Sequence, residues 1–228
     1  MNRTWNVVRM QLINKQTYVW VPLIVMTGAF VLTLLIWAMI PEGGVKYSGG
    51  AQAPYWYFGV VGVQALTLSF PFSQAMSVTR REYFFGTTLT AALTAAMLAT
   101  IYVVGGFIER ATNGWGMNGY YFSLDWIWSP GPAVAWLFYF ALAMLFFMVG
   151  FGAATVYKRF GNLWLTVLLV GLALVFVGIL WLIGRLDGWS TVFEWIATQG
   201  TLGIAGWTLA VALVIGALSF APLRRATP

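Results

Sequence analysis

Long apolar runs separated by short polar punctuation set the pattern of this chain. Charged side chains are absent between Lys15 and Glu42, Lys46 and Arg80, Glu82 and Glu109, Asp125 and Lys158, Arg159 and Arg185, and Glu194 and Arg224. Each of these six runs holds the ~20 residues that a helix needs to cross a hydrocarbon core. The expected spans cover residues 18–40, 55–78, 84–107, 132–156, 163–183 and 201–220. Ahead of them, residues 1–17 place Trp5, Val8 and Leu12 on one helical face and Arg3, Asn6 and Arg9 on another. This predicts an amphipathic helix lying on the membrane surface. A signal peptide fits poorly, because the next apolar run is too long for an h-region and reaches Pro41 and Glu42 without a small-residue cleavage site.

The polar positions inside and between the runs differ in kind. Between the second and third runs stands a charged hinge, Thr79-Arg80-Arg81-Glu82-Tyr83-Phe84-Phe85-Gly86-Thr87. Thr79 and Glu82 have the S/T-x-x-E spacing of a capping box, so a helix is expected to begin at about Arg80. In the second run Gln64, Thr67, Pro71 and Gln74 recur at spacings of three and four, beside a row of Ser69, Ser73 and Ser77. Two readings stand. These groups bond neighbouring helices and their own backbone, or they line a translocation path between two copies of the chain, with Pro71 allowing a kink. Gly171 and Gly178, two turns apart on one face of the fifth run, join the candidate lining. The third run carries two small-residue ladders, Thr87-Ala91-Ala95-Ala99 and Thr88-Ala92-Ala96-Thr100, which predict a closely packed helix. The aromatic segments at 109–129 and 187–199 are expected along the outer interface, the second as a short helix.

Composition makes the class plain. Apolar residues form 61% of the 228 positions and charged residues 8%, against about 25% charged in globular domains. An all-α membrane protein with a single domain over residues 1–228 is expected, with no cytoplasmic domain after the sixth span. Without Cys or His, disulfides, a zinc site and imidazole haem ligation are excluded. No nucleophile–base pair, metal cluster or Walker G-x-x-x-x-G-K-S/T loop is present. The chain is therefore not expected to be an enzyme or to hold a cofactor of its own. Its net charge of +6 is scattered in ones and twos rather than in a stripe, which suits topology better than nucleic acid.

With both termini cytoplasmic, nine bases lie inside (Arg3, Arg9, Lys15, Arg80, Arg81, Lys158, Arg159, Arg224, Arg225) and three outside (Lys46, Arg110, Arg185). The positive-inside rule selects this orientation. Glu82 is then the only cytoplasmic carboxylate, placed to pair with a base of the amino-terminal helix or of a partner. No uncompensated ionisable group is expected deep in a span, which disfavours an ion-gradient carrier.

The amino-terminal amphipathic helix, the six spans with both ends inside and the V-T-R-R-E-Y-F-F-G-T hinge resemble the ABC transporter type 2 permease family. In that family a segment of the form S/T-R-R-E/D-F/Y-x-x-G-T follows the second span. Here Thr79, Arg80, Arg81, Glu82, Tyr83, Gly86 and Thr87 fill it. Thr112-Asn113-Gly114-Trp115-Gly116 also resembles small bacterial members, whereas the segment before the last span is short for the family. The resemblance implies a bacterial cytoplasmic-membrane permease of the type V exporter fold, pairing with a second permease copy. It implies two separate ATPase subunits that carry ATP and Mg, with the hinge, Phe84 and Arg9 in ATPase coupling. The expected cargo is a drug, a lipid or an antimicrobial peptide. A channel or membrane anchor without ATP is the alternative; a membrane enzyme is disfavoured by the lack of His and Cys.

Overall fold

The computed structural model describes residues 3–41 and 44–223; Glu42, Arg224 and Arg225, which entered the charge count above, lie outside the described residues. The long elements are all helical. Among the described residues five helices are long and apolar enough to cross a membrane: Gln16–Met39, Arg80–Ala111, Pro132–Phe160, Asn162–Arg185 and Trp189–Leu223. This is the make-up of a multi-pass membrane protein. The second expected span, 55–78, is also helical, but in pieces: α3 (Ala53–Gln64), a π turn (Ala65–Ser69) and α4 (Phe70–Ala75).

Proline accounts for that interruption, and for a second one. A π turn at Gln16–Trp20 precedes α2 (Val21–Met39), whose second residue is Pro22; the turn at Ala65–Ser69 precedes α4, whose second residue is Pro71. Proline has no N–H to give the carbonyl four residues back, and its ring crowds that carbonyl. The helix widens by one residue instead, so the Val21 N–H bonds to Gln16 O and the Phe70 N–H to Ala65 O.

The other elements are α1 (Arg3–Ile13), β1 (Lys46–Tyr47), α5 (Arg80–Ala111), β2 (Gly119–Tyr120), α6 (Asp125–Trp128), α7 (Pro132–Phe160), α8 (Asn162–Arg185) and α9 (Trp189–Leu223). The two strands form one short parallel bridge, Lys46 to Gly119 and Tyr47 to Tyr120, which joins the loop after α2 to the loop after α5. Helix α9 is broken at Gly200, whose φ of 59° and ψ of −177° no helix accommodates. The part before the break is the short helix expected over 187–199.

Helix α7 is the hub, packing against α9, α3 and α5. At its crossing with α3 there is no room for side chains: a Cβ on Gly150 would fall 1.9 Å from Gly59 O, and one on Gly62 would fall 2.2 Å from Phe147 O. Small residues let the backbones meet, which replaces the hydrophobic drive that lipid removes. The ladder Thr87-Ala91-Ala95-Ala99 is wholly buried, as expected, while in the second ladder Thr100 is exposed. Helix α8 differs from all of these, because among the described residues its main contact is with α7, and none of its own residues is buried.

Candidate functional site

The hinge folds as its sequence dictates. Thr79 caps α5: its Oγ1 accepts the Glu82 N–H at 3.3 Å, and Glu82 Oε2 accepts the Thr79 N–H at 3.0 Å and the Thr79 hydroxyl at 2.8 Å. These two bonds to Thr79 hold the Glu82 carboxyl below the usual carboxylate range, and Arg3 adds the least. The Arg3–Glu82 pair is long, at 4.0 Å, and half in solvent. A pair of that kind contributes little to the free chain. Arg80 donates to Leu223 O at 3.4 Å, tying the start of α5 to the last turn of α9, where the helix dipole favours a cation. Arg81 leans over the Phe85 ring, 5.8 Å from its centroid, and is exposed.

The rest of the hinge points inward. Tyr83 and Gly86 are buried, so they do not offer themselves to a soluble partner, and Phe84 packs among Phe151 and Phe220. The Tyr83 hydroxyl donates to Ala65 O, the same carbonyl that the π turn uses. Gly86 is where α1 lands: a Cβ there would lie 2.5 Å from Val7 Cβ and 2.9 Å from Thr4 O. One residue on, Thr87 Oγ1 accepts from Gln11 Nε2 at 2.8 Å.

This docking corrects the expected face of the amino-terminal helix. Val7, Val8 and Gln11 are its buried residues, whereas Trp5 is exposed and Leu12 only half-buried. The notch left by Gly86 takes a β-branched valine, and the Thr87 hydroxyl takes a buried amide. Helix α1 is thus attached to the bundle. Arg9 stands on its exposed side, with the hinge charges at the same end of α5.

Beside this contact lies a cavity of about 280 Å³, lined by Gln11 from α1 and Asn14 just past its end, Thr17 and Tyr18 from the first π turn, and Gln64 and Ser69 around the second. Both proline-induced π turns border it. Gln11 Oε1 is buried there with no hydrogen-bond partner among the described residues. Of the polar row expected to line a path, only Gln64 and Ser69 reach this cavity. Thr67 donates to Val63 O at 3.0 Å and Ser73 to Phe70 O at 2.7 Å. Gln74 donates to Val78 O at 3.1 Å and so closes the end of α4, and Pro71 sets the π turn. These four serve the backbone of their own segment. Gly171 and Gly178 sit apart on α8, with nothing within 4 Å of a Cβ at either position. The sequence did not single out Gln11, Asn14 or Thr17; the available signal was Gln11, an amide within the apolar stripe of an amphipathic helix.

At the far end of α5 the sequence also concealed a site. Glu109 is fully buried, and its two oxygens accept from the Trp115 indole, from the N–H groups of Tyr121, Phe122 and Ser123, and from the Ser123 hydroxyl, at 2.8–3.2 Å. All of these partners donate, which suits an acceptor-only carboxylate. The loop 112–124 is wound around this group, with Asn113, Trp115 and Asn118 at positive φ. Lys46 closes the neighbouring helix end, donating to Trp37 O at 2.9 Å and Ile40 O at 3.0 Å. Arg110 pairs with Asp125 at 3.8 Å and covers the Trp128 ring.

Compared with protein-family models, with curated proteins and with solved structures, the chain matches none.

Proposed function

We propose that the chain is the membrane-spanning permease subunit of an ATP-driven exporter in a bacterial cytoplasmic membrane. One observation carries the reading: the amino-terminal helix is clamped to the hinge through Gly86 and Thr87, beside the charged start of a helix 32 residues long. At 1.5 Å per residue that helix reaches roughly 48 Å, enough to connect both faces of a ~30 Å hydrocarbon core. A push on α1, Arg81 or Glu82 is thereby carried to the Glu109 loop by one rigid body. The chain holds no Walker loop, so the push comes from a separate ATPase subunit that binds ATP and Mg. In this reading residues 53–75 also cross the membrane, as the second of six spans, both termini and the hinge are cytoplasmic, and two copies pair. The cavity at Gln11, Gln64 and Ser69 receives an amphipathic or hydrophobic cargo through a small polar group.

Two measurements test this. Affinity isolation in mild detergent is expected to bring down a soluble ATPase in equal amount, and single-Cys labelling of Ser48→Cys by an impermeant reagent is expected in intact cells. A chain that is isolated without any ATPase, or a position 48 that reacts only after lysis, removes the reading.

The charge on Glu82 gives a sharper test. Glu82→Gln keeps an oxygen to cap Thr79, and the exposed Arg3 pair contributes little, so the isolated chain is expected to melt as the wild type does. In the assembled complex a docked ATPase desolvates this carboxylate, and loss of its charge leaves a base unpaired. Hydrolysis and transport by the reconstituted complex are then expected to uncouple, and replacing both Arg80 and Arg81 by Lys to impair them less severely. Full coupling in Glu82→Gln reduces the hinge to a helix cap.

A further inference from the structure

Helix α8 leaves α7 at a single residue, Gly161, whose φ of 85° and ψ of 179° turn the chain back on itself. Beside that turn the two helices form a groove of about 600 Å³, between Val156 and Phe160 of α7 and Trp164, Leu168, Gly171 and Leu172 of α8. Every residue in its lining is apolar. Each α8 residue that lines it is exposed, and a Cβ at Gly171 would have nothing within 4 Å, so the groove is open from the side.

A cation stands at one end of this groove. Arg159 Cζ lies 4.7 Å from the centroid of the Phe160 ring, which is itself part of the lining, and Arg159 is only half-buried. Lys158 adds a second base to the same turn of α7. The carboxylates nearest in sequence, Asp125 and Asp187, lie beyond the opposite ends of α7 and α8. Trp164 is exposed at the Arg159 end, and an indole with an apolar body and an N–H suits the headgroup level. An apolar trough that ends at a guanidinium matches a molecule with a hydrocarbon chain and an anionic head.

A second helix is the other occupant for an apolar face in a bilayer. Helices associate there through small residues that let their backbones close. Helix α8 has no two small residues four positions apart. A flexible acyl chain needs no such match, and the base at the end of the groove gains a partner from a lipid that it does not gain from an apolar helix.

We propose that the groove retains one anionic phospholipid, with an acyl chain lying along Leu168 and Leu172 and the phosphate held by Arg159. The guanidinium fork fits two phosphate oxygens at once, which an ammonium does not. The site is separate from the hinge and from the cavity at Gln11, and it stands whether or not the chain is an exporter subunit.

The test uses the full chain in bilayers that mix phosphatidylglycerol with phosphatidylcholine. With no native Cys, one fluorophore can be placed at Leu168→Cys in the groove or at Val170→Cys, an exposed position of α8 outside its lining. Leu168 lies about 9 Å along α8 from Asn162, at 1.5 Å per residue, and Val170 lies close to the same depth. Quenching by each lipid brominated at mid-chain gives their relative affinity at each position. At Leu168 phosphatidylglycerol is expected to be preferred about fivefold, the factor that one base contributes beside an anionic lipid surface. At Val170 the two lipids are expected to quench alike. Arg159→Gln is expected to reduce the preference at Leu168 to about twofold or less, and Arg159→Lys to keep part of it. Unchanged quenching at Val170 shows that both variants fold and insert. Gly171→Phe fills the groove and is expected to weaken quenching at Leu168 by both lipids. The proposal is overturned if the two positions show the same preference or if Arg159→Gln keeps the fivefold ratio. It is equally overturned if neither lipid quenches at Leu168, because a second copy or another helix then covers the groove.

Discussion

Glu109→Ala is expected to release the loop over residues 112–124 and to cost at least about 3 kcal/mol, because it strips the acceptor from five donor groups at once, four of them buried. Each buried donor left unpaired carries a penalty of ~1–3 kcal/mol, moderated where the loop relaxes to find solvent. Against a total stability of ~5–15 kcal/mol that is a large fraction. Glu109→Gln separates the charge from the shape. The amide fits the same space, but its NH₂ must face N–H groups that also donate, so this variant is expected to lose nearly as much as the alanine. The hinge lies at the other end of α5 and keeps its capping box in both variants. Thermal unfolding in detergent, followed by tryptophan fluorescence, gives the stability; protease cleavage between Thr112 and Ser123 reports the loop. A Glu109→Ala protein that melts with the wild type and keeps its loop protected would show that the donors have other acceptors.

That carboxylate also marks the limit of what the sequence disclosed. Its charge was legible as the end of an apolar run, and the run ended there. Its burial was not, because the three N–H groups that hold it belong to Tyr121, Phe122 and Ser123 in a loop with no periodicity to read. The capping box at Thr79 was fully legible, since every atom in it lies within four residues. The ladder from Thr87 to Ala99 was legible for a similar reason: a helical repeat of small side chains has one dominant packing consequence.

Polar residues inside the second run were harder. Thr67, Ser73 and Gln74 stand at the same helical spacing as Gln64, but they satisfy backbone carbonyls of their own segment and Gln64 does not. Spacing alone does not separate these outcomes, because both leave a polar stripe. Pro71 announced a bend; Pro22 makes the equivalent turn four residues into the first expected span, yet the apolar stretch around it gave no reason to look. Gly171 and Gly178 shared a face without anything among the described residues to meet it, since the packing partners of α8 are not fixed by α8.

The hinge glycine is the clearest case of a residue whose role depends on a distant partner, and it gives the second large expected effect. In Gly86→Ala the new methyl would lie 2.5 Å from Val7 Cβ, 2.7 Å from Val7 Cγ1 and 2.9 Å from Thr4 O. None of these atoms is the tip of a flexible side chain. Valine is stiff about χ1 and Thr4 O is backbone, so α1 has to lift rather than adjust. Overpacking of this kind costs ~1–3 kcal/mol, concentrated on the attachment of one short helix. The Gln11–Thr87 bond lies one turn further along α1 and is expected to part with it. With no native Cys, spin labels at Asn6→Cys and Leu89→Cys, both exposed, report the separation of α1 from α5 directly. Wild type is expected to give one narrow distance distribution and Gly86→Ala a broad one shifted outward. Adding Val7→Ala to Gly86→Ala removes the clash and is expected to restore the narrow distribution, a coupling that neither substitution shows alone. If the helix transmits force from an ATPase, stimulation of hydrolysis follows the same order, falling in Gly86→Ala and recovering in the double variant. A narrow, unshifted distribution in Gly86→Ala would mean that α1 is free to slide along α5, and a sliding helix transmits nothing.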